Sequence, residues 1–485
     1  MKKGKKSKKA KKIGKVRSGA RERNAEVIEA QIEEALLEME YLLRKKYAIK
    51  DAESLEAAER EIAAATGRLS ELILAQKVQE ALDSPAMRED ASEMIRSLPK
   101  KVKNQGPREV RIRTSNGGTM TIVTGYYSQK GRKIGRRKRA GIRPELILLG
   151  IYDHCTPALA SEISVMAAML SSFEETRHIL EDRGIKMDAD TIRTVSVRCA
   201  RRARAVHEAG EGNFPETVAG CRVVISTDGG RVRIRRDKRG PKTKKGRSHY
   251  STKWREPKLL IIYTVNEHGE RSKTFSPFID GTLRGPNAVF GLIGHYLRRL
   301  DICRADRILF VADGARWIWN RVRSLMISLG VSPGQYHELL DFYHAAEHLG
   351  KVANLQKGWK ASERKTWVRR QRRLLLRGRL EEVTDAIRRV CKGRRGKKLR
   401  TERNYFIRNR KRMCYDKISD MGLPIGSGAM ESAIRRVVNL RLKGASSYWL
   451  RENAEAMILL RSYYKAGRWD MLKASAFSAQ SVHAT

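Results

Sequence analysis

The chain has 485 residues, 41% of them hydrophobic, enough for several domains with real cores. Its 101 Lys and Arg against 54 Asp and Glu leave a formal charge of +47, an excess that fits a polyanionic partner, nucleic acid before any other, because each neutralised phosphate releases counterions. No apolar run nears the roughly 18 residues of a membrane span and no signal-peptide core occurs, so the expectation is a soluble protein, cytoplasmic and nucleoid-associated, with neither a membrane partner nor a small-molecule substrate.

Residues 1–24, opening MKKGKKSKKAKKIGKVRSGARER, form a basic low-complexity arm with too little apolar surface to fold alone, read as disordered. Either it orders on DNA or RNA, or it is a solvated tail. Residues 25–100 turn helical: Ile28, Ile32, Leu36, Met39 and Leu43, then Leu55, Ala58, Ile62, Leu69, Leu72 and Ile73, recur at helical spacing on either side of a capped turn, IKDAESLEA. Their glutamates make a poor DNA surface, so a helical hairpin used for packing or self-association is expected. Within 105–150, EVRIRTSNGGTMTIVTGYY alternates apolar and polar residues around Asn116-Gly117, a β-hairpin signal, and the loop SQKGRKIGRRKRAGIRP supplies a dense basic patch for DNA contact.

Residues 151–210 read as successive short helices, with Gly184 as a stop and Asp188 or Asp190 as the cap of a last helix rich in arginine. That region is helix-turn-helix-like, with Arg198, Arg201 and Arg202 on DNA, or it is a plain helical linker whose arginines are solvated. The six cysteines (Cys155, Cys199, Cys221, Cys303, Cys391, Cys414) are scattered, with no CxxC pair or His/Cys spacing, which argues against both a disulfide framework and a zinc ribbon.

From Cys221 the texture is that of strands. Three β-rich runs, CRVVISTDGGRVRIRR, KLLIIYTVNEHGE and SKTFSPFIDGT, precede a helix, the strand RILFVA, another helix and the strand YHELLDFYH. That order is that of an α/β ribonuclease H-like catalytic core, a mixed five-stranded sheet with flanking helices. It divides into a first part at 218–345, a basic helical insertion at 346–420, a last part at 421–470 and a flexible tail at 471–485.

Such a scaffold carries out phosphodiester chemistry with two divalent cations held by carboxylates. Asp228 on the first strand and Asp313 at the end of the fourth fit the requirement that the two acids stand on neighbouring strands; singly, each Asp-Gly is equally a turn. A third carboxylate should come from a helix packed across the sheet. Glu431, in GLPIGSGAMESAIRRVVNLRLKG, lies in the first turns of such a helix, although a glutamate there also simply complements the helix dipole. The same helix offers Arg435, Arg436, Arg441 and Lys443 as DNA-binding cations.

Taken together and in order, DGGRVRIRR, KWREPKLLIIYTV, FIDGT, VADGARWIWN, DFYHAAEHL and GLPIGSGAMESAIRRVVNLRLKG resemble the transposases of bacterial insertion sequences of the Kra and Lre types, within the DDE transposases with ribonuclease H-like cores. The resemblance runs from about Glu53 to Ala466. It implies an Asp-Asp-Glu triad on Asp228, Asp313 and Glu431, catalytic and metal-binding, holding two Mg²⁺ (Mn²⁺ substituting). It also implies double-stranded DNA partners, the element's terminal inverted repeats and the target, and a homodimer or larger assembly on DNA.

Asp341 and His344 stand where related transposases often have Cys or Asp followed by His, and are second-tier: an outer acid or rival metal ligand, and a phosphate contact or structural hydrogen bond. Trp317 and Trp319 come just after Asp313, Tyr448 and Trp449 follow the Glu431 helix, and these rings either stack on an unpaired base, Trp317 and Trp449 first, or pack in the core. The resemblance does not cover the lysine-rich arm, and the cysteine-rich stretch of many relatives is absent here. A catalytically inactive DNA-binding derivative and a structure-specific nuclease on the same scaffold are the competing readings.

Overall fold

The computed structural model describes residues 4–479, except 100, 130–140, 212, 213, 215, 239, 245, 247, 392–395, 445 and 446, and gives the backbone alone for 4–18 and 391. Most of the predicted basic loop therefore lies outside the described residues. The chain divides into two compact units, Met1–Glu211 with Lys473–Thr485, and Gly212–Leu472.

In the first unit, α1 (Gly4–Arg44) and α2 (Ala52–Asp83) form an antiparallel hairpin, with Lys45 paired to Glu61 near one end and Asn24 to Gln79 near the other. The expected disordered arm is a difference: α1 begins at Gly4, within a stretch of lysine, arginine and alanine, all good helix formers, that runs straight into the amphipathic helix. The buried seam also differs by one residue. Ile28, Ala35 and Leu42 recur at a seven-residue spacing and are buried, as are Ala58 and Ala65 on α2, whereas Leu36 and Leu43 are exposed. Alanine at these places lets the helices approach closely.

After α3 (Pro85–Ser97), β1 (Val102–Arg113) and β2 (Thr119–Gln129) pair antiparallel around Asn116-Gly117, and Gly117 has φ +93°, the left-handed geometry that glycine permits. The helical hairpin packs on these strands through Ile28, Ala75 and Leu82 against Val110, Ile112, Met120 and Ile122. α4 (Pro144–Leu148) follows, with Glu145 buried and bonded by Thr124, the Gly125 amide and Arg21. Next, α5 (Pro157–Met169) and α6 (Phe173–Asp182) pack on α7 (Ala189–Ala209), whose N-cap is Asp188 and whose preceding turn carries Gly184.

The second unit is an α/β fold around a five-stranded sheet in the order β7-β6-β3-β8-β9. β3 (Arg222–Gly229) is central. After it, β4 (Val232–Asp237) and β5 (Tyr250–Arg255) form a separate two-stranded ribbon, and the chain returns to the sheet as β6 (Lys258–Val265) and β7 (Phe278–Thr282), both antiparallel to their neighbours. α8 (Pro286–Arg299), β8 (Arg307–Ala312), α9 (Arg316–Ser328) and β9 (Tyr336–Leu340) complete it, with β8 parallel to both β3 and β9.

One sheet face, with Val223, Ile225, Leu260, Ile262, Ile308 and Phe310, packs on α8 and α9 through Ile293, Leu297, Ile318 and Val322. Strand alternation turns Val224, Leu259, Ile261 and Leu309, all buried, to the opposite face.

α10 (Phe342–Asn354) leads from β9 into the insertion, α11 (Ala361–Leu376), α12 (Leu380–Cys391) and α13 (Lys397–Asn409). The chain then continues through α14 (Tyr415–Asp420) to α15 (Gly428–Ile434), which packs against β3 and β6 and passes through a π-helical turn, Arg435–Asn439, into α16 (Leu440–Leu442). α17 (Arg451–Ala466) packs on β7, and α18 (Trp469–Ala476) follows. No described helix is long and apolar enough to cross a membrane.

Candidate active site

Parallel pairing fixes where three acids stand. Ile225 is opposite Phe310 on β3 and β8, so continuing that register brings Asp228 level with Asp313; Ala312 is opposite Leu340 on β8 and β9, which brings Asp313 level with Asp341. Adjacent strands lie about 4.8 Å apart, so the three aspartates form a row at the carboxyl edge of the sheet, the edge where α/β folds build their sites.

Asp228 takes the Gly229 amide on Oδ1 at 2.6 Å. Burial pushes its carboxyl up to about 6; the Gly229 hydrogen bond and His344 act against that, while the charges of Asp313 and Glu256 add to it. Asp313 is half-buried. Its Oδ1 accepts from the Ala315 amide at 2.9 Å and its carbonyl from the Trp319 indole at 2.7 Å, which holds the turn into α9.

Asp341 has a different task. It is fully buried, one oxygen accepting from the His344 amide at 2.8 Å and the other bonded by the Ser427 amide, while the Phe342 amide donates to the Ile425 carbonyl at 3.1 Å. These bonds fasten the loop that leads into α15 to the end of β9. Each oxygen thus accepts one backbone amide, and Asp341 supports the site from the end of β9. His344 is half-buried, lies close enough to Asp228 to act on its charge, and has Nδ1 3.8 Å from Glu347.

Glu431 is exposed on α15. Among the described residues, no group of three or more His, Cys, Asp or Glu side chains is gathered to hold a metal ion. The fold thus brings Asp228 and Asp313 together and sets Glu431 on a helix against the same strand, without joining its carboxylate to theirs. That differs from the gathered triad the resemblance implies: α15 buries Met430 and Ala433, and Glu431 is left exposed.

The remaining expected site residues divide by burial. Arg202 is buried, its Nε on the Ala476 carbonyl at 3.0 Å, NH1 3.2 Å from Asp153 and its guanidinium 4.1 Å from the Tyr152 ring centre, so it packs the first unit and does not face DNA. Arg441 is likewise buried, 4.9 Å from the Trp449 ring centre. Trp449 itself is only 6% exposed, which removes it as a stacking surface. Trp317 is half-buried, with Lys258 Nζ 4.1 Å from its ring centre and Phe290 edge-on at 6.2 Å, so packing accounts for it. Arg198, Arg201, Arg435 and Lys443 are exposed, Arg198 being paired with Asp153, and Arg436 is half-buried.

Sequence reasoning missed the insertion's part in the site. Tyr405 of α13 lies against Gly314, where an added Cβ would come within 2.3 Å of the ring. Its ring stacks 3.6 Å from His348, which is hydrogen-bonded to Glu402 at 2.5 Å. Burial, then the charges of Asp313 and Asp341, push the Tyr405 phenol far up, and its buried hydroxyl has no protein partner. No local signal marks Tyr405, which reaches Asp313 across some ninety intervening residues of chain.

The chain matches no protein-family model and no curated protein. Among solved structures it is similar to a chain of the Drosophila P element transposase strand transfer complex, at 10% identity over 65% of this chain and 80% of that one, with a TM-score of 0.23, an overlap too loose to establish a common fold.

Proposed function

We propose that the second unit is a ribonuclease H-like core that cuts and joins DNA ends as the transposase of a bacterial insertion sequence. One observation carries this reading: Asp228 and Asp313 stand level at the carboxyl ends of neighbouring parallel strands, in a sheet whose first strand is central with the second and third antiparallel on one side and the fourth and fifth parallel on the other. The strongly basic chain supplies the charge that a duplex substrate requires.

The donor set suits a hard divalent cation. Two close carboxylates, one of them pushed towards protonation by burial and by the other, lack positive charge, and Mg²⁺ is commonly held by one or two carboxylates together with substrate phosphate oxygens. When bound, such ions supply activation of the attacking oxygen and charge neutralisation at the leaving oxygen. Asp228 and Asp313 would hold that centre, with Asp341 and the Asp313 turn bracing the strand ends around it, and Glu431, on the helix packed against the same strand, is the third acid of this reading. Assembly on DNA as a dimer or larger species is part of the same reading, with the exposed Leu36, Leu37, Tyr41 and Leu43 of α1 as the apolar surface available for self-association.

The exposed, unjoined Glu431 favours one alternative, a DNA-binding derivative without catalysis. Nicking of a duplex that carries the DNA flanking the reading frame separates the two. Wild type should nick and join 3′ ends when Mg²⁺ or Mn²⁺ is supplied, and Asp313→Asn should do neither. Activity in that variant equal to wild type would defeat the acid assignment, and hydrolysis without joining would leave a nuclease.

A further inference from the structure

The β4–β5 ribbon leaves the sheet just after Asp228 and returns to it at Lys258. Its two faces differ. Val232 and Ile234 are buried on one. The other carries Arg233 and Arg235 from β4, opposite Trp254 and Thr252 of β5, with Asp237 opposite Tyr250. A third segment adds to this face: the Trp449 amide donates to the Arg233 carbonyl at 3.0 Å and the Arg235 amide to the Trp449 carbonyl at 2.8 Å, which brings Tyr448 alongside.

Trp254, Tyr250 and Tyr448 are 50, 43 and 42% exposed. Of the exposed tyrosines and tryptophans among the described residues, which also include Tyr41 and Tyr343, these three share one small surface. The Arg233 guanidinium lies 4.9 Å from the Trp254 ring centre and 5.5 Å from that of Tyr448, Arg235 lies 4.6 Å from Tyr250, and the two tyrosine rings are 5.7 Å apart. Cations and rings alternate, with Asp237, 2.8 Å from Arg235, as the acid among them. The connecting residues 238–249 carry lysines and arginines and no acid.

Burial does not explain these rings, since the ribbon packs through its opposite face. Flat rings between guanidinium groups offer what an unstacked nucleobase and its phosphate require, a π-face beside a cation. A duplex keeps its base faces stacked within and presents only edges and phosphates, so this surface suits unpaired nucleotides. We infer that the exposed face of the β4–β5 ribbon with Tyr448 is a binding platform for a single DNA strand, whose bases stack on Trp254, Tyr250 and Tyr448. The platform starts at the Asp228 turn and so holds the strand that leads to the acid pair. It rests on the reading of this protein as one that acts on DNA ends.

The test is binding of a fluorescein-labelled oligothymidylate and of a labelled blunt duplex to the full chain without divalent cation, followed by anisotropy and by tryptophan emission. Trp254→Ala should weaken single-strand binding about tenfold or more while duplex binding changes by less than about twofold, as loss of one stacked base requires. Trp254→Phe should keep the single-strand affinity and lose much of the emission quenching. If Trp254→Ala fails to fold, by circular dichroism, the Tyr250→Ala/Tyr448→Ala pair of exposed substitutions should give the same selective loss. Unchanged single-strand affinity, or an equal loss on both DNAs, would overturn the platform. Nicking by wild type and by Asp313→Asn is followed separately with Mg²⁺, so a failure of the catalytic reading shows in nicking and a failure of the platform in binding.

Discussion

Replacing Asp228 by Asn should stabilise the second unit, increasingly so as pH rises. The carboxyl is raised from the ordinary aspartate value of 3.8 to about 6, chiefly by burial. At about 1.4 kcal/mol per pH unit, ionising it within the fold costs up to about 3 kcal/mol more than in the unfolded chain, an upper bound because the group keeps some contact with water. The folded value being the higher, this group's contribution to stability is fully present below pH 3.8 and is lost as pH rises through about 6. Asn does not titrate, and its side-chain oxygen still accepts the Gly229 amide that Asp228 accepts at 2.6 Å. The stability difference between Asp228→Asn and wild type should therefore be near zero at pH 4, grow between pH 4 and 7, and then level off. All seven tryptophans, Trp254, Trp317, Trp319, Trp359, Trp367, Trp449 and Trp469, fall within Gly212–Leu472, so tryptophan emission in a urea titration reports this unit alone. A difference that stays flat or shrinks between pH 4.5 and 7.5 would refute the burial and charge argument. Added Mg²⁺ at pH 7.5 should narrow the gap by stabilising wild type and not the variant.

Asp341→Asn places an amide where the Ser427 amide needs an acceptor, and should cost about 2–3 kcal/mol in urea unfolding, with faster hydrogen exchange confined to 423–427; unchanged exchange there would contradict the anchoring role. Gly314→Ala brings a Cβ to 2.3 Å from Tyr405 and should cost about 1–3 kcal/mol, an effect less than additive with Tyr405→Leu in a double-mutant cycle; simple additivity would dismiss the contact. Arg202→Ala should destabilise the first unit by about 2–4 kcal/mol and leave the salt dependence of duplex binding alone. Lys443→Ala, at an exposed position, should instead lower that salt slope by about one with stability unchanged, as a phosphate contact would.

How far these features are legible in the sequence depends on the range of the interaction that fixes them. Asp228 and Asp313 are legible because each ends an apolar run that is a strand by local pattern. That they stand level is set by β3–β8 pairing, which no local pattern encodes. The same holds for Asp341, whose fate is decided by the amide of Ser427, 86 positions away. For α1 the spacing reveals a helix but leaves two phases open. Leucine and isoleucine favour Leu36 and Leu43 as the inner positions, and close helix approach, which rewards alanine, selects Ala35 and Leu42. The tryptophans show the converse error: nearness in sequence to Glu431 singles out Trp449, which the fold buries, whereas the two-residue alternation Val232-Arg233-Ile234-Arg235 already separates an inner from an outer face on the ribbon that bears Trp254.

Net charge and local charge point in opposite directions at the acid row, and the contrast bears on function. A chain of formal charge +47 would lower a carboxyl if its cations were spread evenly about the site, yet Asp228 is raised. Lys258 has its Nζ 2.6 Å from Glu256 and over the Trp317 ring, and His344 is a basic group that lowers the Asp228 carboxyl against its burial. Burial outweighs the surrounding charge at this edge, and the charge of Asp313 adds to it. An arrangement selected for folding alone would neutralise Asp228 with a neighbouring arginine, as Arg468 does for Glu216 at 2.7 Å. Leaving that charge uncompensated costs stability at neutral pH, a cost that the divalent cation proposed for the pair would offset on binding.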